Sequence, residues 1–203
     1  MKRFFIFSTL LLLILILTAC APAVGNNDLR LELLQREEAD QAALKAFMEA
    51  PNFAETLMQQ QQQVNRDNTA RLKEIVEKYG WPGFSLVGQD GARAAWLLAQ
   101  HADHDVAFQK QCLELLHAAV EKGEALPRHA AYLYDRVAVN GKRPQRYGTQ
   151  GHCTGPGRWG PFTLEDAQRV DEYRTAAGLS TLAEYTQNIA PSCPPNITYV
   201  PTP

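Results

Sequence analysis

Gln100-His101-Ala102-Asp103-His104-Asp105 sets two imidazoles and two carboxylates side by side in an otherwise Ala- and Leu-rich stretch. Such a cluster admits three chemistries. If a helix continues through it, Gln100, His101 and His104 share a face and Asp105 lies one turn beyond His101. His101 and His104, with Asp135 or His152 as a further ligand, are then candidate transition-metal ligands. The spacing argues against that reading. His-x-x-His is not the i, i+4 pair of the zinc proteases and no Glu follows the first His, so no metal is expected. In a second reading the cluster is a polar joint. Asp103 and Asp105 suit the N-cap of a following helix, and His101 occupies the last turn of the preceding one, its ring donating to a buried carboxylate such as Asp135. In the third it is a pocket without metal. A His101–Asp135 pair serves general acid–base chemistry, with Tyr147 or Arg136 stabilising an anion.

The pocket reading draws on a second group. Tyr132, Asp135 and Arg136 share one expected helix, and Gln145, Tyr147 and Gln150 fall in or beside an expected short strand. Arg136 is suited to bidentate binding of a carboxylate or phosphate. Candidate catalytic residues are therefore His101, Asp135 and Tyr147, and candidate ligand-binding residues add Asp103, Arg136, Gln145 and Gln150. Asp135 and Arg136 are equally expected as a buried pair anchoring strand to helix. No Ser or Cys stands in a nucleophile motif. The glycines between 151 and 160 lack the Lys-Ser/Thr of a phosphate loop, and no cofactor is implied. Trp81 and Trp159 fall in loops, where they either pack or line a groove for a sugar or peptide.

Helices must position these groups. Asp28 is expected as the N-cap of a helix with apolar residues at 29, 33, 44, 47 and 48, ended by Pro51. Phe53 to Val64, with five consecutive glutamines, continues it as a solvated helix or linker. Asp67 is expected to cap a helix carrying Leu72, Ile75, Val76 and Tyr79 and stopping at Gly80. After a loop to Gly91, helices are expected over 92–102 and 105–122, the second burying Cys112, and over 128–138 behind Pro127. Asn140-Gly141 marks a turn. A strand is expected over Gln145–Thr149, an irregular stretch over 151–160, a helix from Thr163-x-x-Asp166 toward Gly178, and a last helix from Ser180 or Thr181 to about Asn188.

The ends address the location. Met1-Lys2-Arg3, an almost wholly apolar run from Phe4 to Leu17, and Thr18-Ala19-Cys20 have the layout of a secretory leader; the run is short for a membrane span. Leu17-Thr18-Ala19-Cys20 resembles the bacterial lipobox. That resemblance implies cleavage before Cys20, diacylglycerol on its thiol and an acylated amino terminus. Ala21 in place of Asp implies the outer membrane where the host has two. Losing Lys2 and Arg3 takes the formal charge from −2 to about −4, and a chain with no basic footprint is not expected to bind nucleic acid. In an oxidising compartment the loop cysteines Cys153 and Cys193 are expected to pair. Asn196-Ile197-Thr198, a formal glycosylation acceptor, carries no weight in a bacterial lipoprotein.

Gly80-Trp81-Pro82, Gln100-His101-Ala102-Asp103, Tyr132-Leu133-Tyr134-Asp135-Arg136-Val137, Gly141 with Gln145, Tyr147-Gly148-Thr149-Gln150, and Arg174 with Gly178-Leu179 resemble, in order and spacing, an uncharacterised bacterial family. It is a domain of unknown function, small, mostly helical and often exported, and the resemblance spans about residues 66–186. It implies a shared fold and supplies no reaction. The expectation is a mainly α protein: a compact multi-helix domain with one small β element, preceded by an N-terminal helical arm. Its parts are a leader at 1–19, a lipidated tether at 20–27, the arm at 28–65, the domain at 66–190 and a Pro-rich tail at 191–203. The function expected is that of an envelope binding or interaction module, anchored in the membrane and meeting an envelope ligand or protein. The alternatives are an envelope hydrolase using His101 and Asp135, metal-assisted or not, and an assembly role through the arm.

Overall fold

The computed structural model describes residues 24–50 and 54–194. The leader, Cys20, Pro51 and most of the Pro-rich tail lie outside them. The chain is mainly helical: α1 (Asn27–Glu49), α2 (Glu55–Tyr79), α3 (Phe84–Gln100), α4 (Val106–Glu121), α5 (Pro127–Asn140), the hairpin strands β1 (Gly151–Gly155) and β2 (Arg158–Pro161), α6 (Val170–Ala176), α7 (Leu182–Ile189) and a 3-10 turn at Ala190–Ser192. Among the described residues no helix is long and apolar enough to cross a membrane.

The segment expected as an arm belongs to the body. Asn26, not Asp28, caps α1 by accepting the Leu29 N–H. Leu29 and Leu33, one turn apart, then enter the same core as Leu72, Ile75, Val87, Leu98 and Leu116. The boundary drawn at residue 65 falls inside α2. Asp67 caps nothing there; it accepts from Gln63 on the helix surface. The glutamine run, made of good helix formers, fills the first turns of α2.

α3 packs on α1, α2, α4 and α5, which explains its run of small buried residues (Ala92, Ala94, Ala95, Ala99). It starts at Phe84, inside the expected loop, and kinks at Gly88, where φ is +73°. That left-handed backbone is open to glycine at little steric penalty. Asp105 caps α4 by accepting the Phe108 N–H, and Pro127 opens α5.

The β element is misplaced by the sequence reading. Residues 145–149 do not form a strand, because Asp135 takes the backbone N–H groups of Arg146, Tyr147 and Thr149 and so denies them to a ladder. Gln145 keeps only an isolated bridge to Leu164. The strands lie instead in the glycine-rich stretch expected to be irregular, with β1 antiparallel to β2 and Gly157 at φ +60° in the turn. Thr163 does not start a helix; α6 begins at Val170, and the capping box is Thr181 with Glu184, opening α7. A disulfide joins Cys153 to Cys193 and closes the C-terminal unit.

Candidate functional site

α3 ends at His101, whose backbone (φ −91°, ψ 8°) leaves the helix. Ala102 and Asp105 continue as tight turns, their N–H groups donating to the carbonyls of Ala99 and Ala102. The break separates the polar residues of the cluster by role. Asp105 caps α4 and meets Lys73 at 2.6 Å. Asp103 turns to α5, accepting from Asn140 Nδ2 at 2.8 Å, Arg136 Nη1 at 3.4 Å and Gln109 Nε2 at 3.1 Å. Gln109, fully buried, also donates to the last carbonyls of α3, those of Ala99 and Gln100. Helix ends leave such carbonyls without intrahelical partners, so this half of the cluster is a joint.

His101 has a different partner from the one expected. Its Nδ1 lies 2.9 and 2.8 Å from the two oxygens of Asp40 on α1. Asp40 is 1 % exposed. A carboxylate only accepts, so Nδ1 carries the proton and donates. Nε2 makes no hydrogen bond among the described residues, and His101 borders a cleft. That cleft, about 490 Å³, is lined by Gln61, Gln62, Asn65 and Arg66 of α2 with His101, Asp103 and His104. Beside it lie amides with unmet demand. Asn65 Oδ1, Asn68 Nδ2 and Gln100 Oε1 are covered and have no hydrogen-bond partner among the described residues, a rare condition for buried polar atoms.

Behind Asp40 on the same face of α1, Glu37 is 6 % exposed and is held by both guanidinium nitrogens of Arg93. Burial raises the Glu37 carboxyl above its usual range, and Arg93 opposes the rise. α1 thus carries two buried acidic side chains, Glu37 and Asp40, each engaged by a residue at or beyond α3.

Asp135 is not part of it. Fully buried, it accepts from the N–H groups of Arg146, Tyr147 and Thr149 and from Thr149 Oγ1, at 2.8–3.0 Å. Burial raises its carboxyl and those four donors pull it back. With both oxygens doubly engaged it has no lone pair free for catalysis or metal binding, and it neither meets His101 nor pairs with Arg136. Gln145 and Gln150 are equally committed: Gln145 Nε2 donates to the carbonyls of Gln150 and Phe162, and its Oε1 accepts the Gln150 N–H. The Gln150 side chain donates to Thr149 Oγ1. The Tyr147 ring packs edge-on to Tyr134, and burial raises its hydroxyl pKa. Arg174, absent from the expected site, is fully buried and donates to the carbonyls of Tyr147 and Ser180 under the Tyr185 ring. The Tyr-Leu-Tyr-Asp-Arg and Tyr-Gly-Thr-Gln segments thus hold the 145–150 loop in place.

Among the described residues, no three His, Cys, Asp or Glu side chains are placed to hold a metal ion. Cys112 is buried, its thiol pushed up to about 12 by burial. Of the two loop tryptophans, Trp159 packs on Tyr185, and Trp81 lines a separate cleft.

The sequence reading missed Asp40 and the α2 amides. Leu29, Leu33, Glu37 and Asp40 recur at helical spacing, so two carboxylates continue an apolar stripe. That is the available signal of a buried polar site.

A family model described as a family of unknown function (DUF6624) matches residues 27–192. The match takes in α1, as its place in the core requires. No curated protein and no solved structure matches the chain.

Proposed function

The chain belongs to this family of unknown function, which brings no reaction with it, and from the site itself we propose that the protein is a lipid-anchored binding module of the bacterial cell envelope. It takes a small polar ligand in the His101 cleft. One observation carries the reading: a buried carboxylate, Asp40, holds His101 by Nδ1 and leaves Nε2 as a fixed donor or acceptor, at a cleft lined otherwise by polar side chains. A ligand rich in both donors and acceptors, such as a short peptide or an amino sugar, suits a cleft lined by Gln61, Gln62, Asn65, Arg66, Asp103 and His104. Envelope location and attachment rest on the leader and on Leu17-Thr18-Ala19-Cys20, and the Cys153–Cys193 disulfide suits an oxidising compartment.

The test is a titration of ¹⁵N-labelled protein with short envelope-type peptides and amino sugars. A ligand of the cleft shifts His101 Nε2 together with the side-chain amides of Gln61 and Asn65. If no compound moves these resonances, while the disulfide-bonded half responds instead, the cleft is the wrong site.

The Asp40–His101 pair also favours a second reading, an envelope hydrolase in which Nε2 takes a proton from water as it attacks a bound ester or amide. Asp40, not Asp135, orients the base. Asp40→Asn would then reduce turnover more than substrate binding, whereas in a binding module it changes affinity alone.

A further inference from the structure

We infer that the protein lies on its own membrane through the cleft between the end of α2, the start of α3 and the end of α4, with the His101 cleft facing away from the bilayer. The docking rests on the lipid anchor proposed above. The N–H groups of Gly25 and Asn26 donate to the carbonyls of Ser85 and Leu86 at 3.0 and 2.7 Å, so the incoming chain is pinned to the start of α3. Five peptide steps separate Cys20 from Gly25. Fully extended they reach no more than about 18 Å. Acyl chains on Cys20 therefore keep Ser85 and Leu86 close to the lipid headgroups.

The surface at that place has the composition of a membrane interface. Ser85 and Leu86 line a cleft of about 430 Å³ together with Tyr79, Trp81, Leu115 and Lys122. Tyr79 is 38 % exposed, and Lys78 Nζ stands over its ring. The Trp81 indole N–H is covered and has no acceptor among the described residues. Glu124 lines the same cleft, its carboxylate accepting the Ser85 N–H. Exposed Tyr79, Lys78 and Lys122 around a cleft that holds the half-buried Trp81 ring match the headgroup zone, where amphipathic rings and lysines settle. His101 stands at the other end of α3, on the order of 20 Å away along the helix. Docking by the near end presents the polar cleft to the envelope space.

The lipidated full-length chain is placed in phosphatidylethanolamine–phosphatidylglycerol vesicles with or without brominated acyl chains, and tryptophan emission is read. Bromine is expected to quench the wild type, with most of that quenching lost in Trp81→Phe and kept in Trp159→Phe. A second measurement guards against a misfolded Trp81→Phe. With Cys112 buried and Cys153 and Cys193 bonded, an environment-sensitive dye on Lys122→Cys should shift blue on vesicles, while the same dye on His104→Cys should not. Equal shifts at both positions, or quenching unchanged in Trp81→Phe, overturns the docking. A mass for Cys20 without lipid overturns the anchor and the docking with it. Lipid on Cys20 without quenching at Trp81 overturns the docking alone.

Discussion

His129 stacks on Trp96 with ring centroids 4.4 Å apart. It is 8 % exposed, and burial, with Arg128 and Arg93 nearby, lowers its pKa to about 4. Protonation therefore favours the unfolded chain. The stability tied to the neutral ring is fully present above the unfolded value near 6.5 and is lost as pH falls from there through about 4, up to about 3 kcal/mol. His129→Phe should keep the stack and flatten this part of the profile. Urea unfolding at successive pH values checks it, and an equal slope in wild type and variant would refute it. His101 calls for the opposite experiment, because its partner is the charge at risk. His101→Ala leaves Asp40 buried with only Gln41 donating to it; removing one partner of a buried pair typically costs about 3–5 kcal/mol. Asp40→Asn in the same chain should recover much of the loss, and the non-additivity of the double-mutant cycle measures the coupling. A His101→Ala variant as stable as wild type would mean that Asp40 is not held by that ring.

At the scale of elements, α1 decides whether the site exists, since it carries Asp40 and Glu37. Leu33 is fully buried on the same face. Leu33→Ala should lower the unfolding free energy of the whole protein by about 3 kcal/mol in a single transition; a loosely attached helix would show little change or a separate early step. The same helix explains how far the site was legible. His101, the cap at Asp105, Pro127 at the start of α5 and the small residues of α3 could be read locally, because each obeys a rule over three or four neighbours. The partner of His101 lies 61 residues upstream, and no local rule links the two. Asp135 failed in the other direction. Its residue type suggested chemistry, yet three backbone N–H groups from a loop eleven to fourteen residues later consume it. Those bonds also explain why 145–149 is a clasped loop although its composition reads as a strand.

Across the whole molecule, two bodies of different construction share one chain. The helical body of α1–α5 is held by a broad apolar core. Among the described residues, the part after α5 buries few apolar side chains, Val170, Ala177 and Cys193; it hangs on polar contacts, namely Asp135 to the 146–149 loop, Arg174 to Tyr147 and Ser180, and the Tyr185 hydroxyl to the Thr149 carbonyl, and on the ring contacts of Tyr134 with Tyr147 and Tyr132 with Tyr185. The disulfide therefore acts where apolar burial is thin. It closes a loop of 40 residues, for which chain entropy gives about 4 kcal/mol of stabilisation. Replacing both cysteines by serine should let β1, β2 and α7 exchange their amide hydrogens well before α1–α3, because these few polar and ring contacts are too weak to keep the two parts cooperative. Hydrogen exchange resolved by segment checks this. Equal loss of protection in both parts would show that the polar clasp alone suffices to couple them. If the C-terminal part opens first and the His101 cleft keeps its ¹⁵N signature, the cleft belongs to the helical body, and reduction of the disulfide would loosen one part of the protein without disturbing the other.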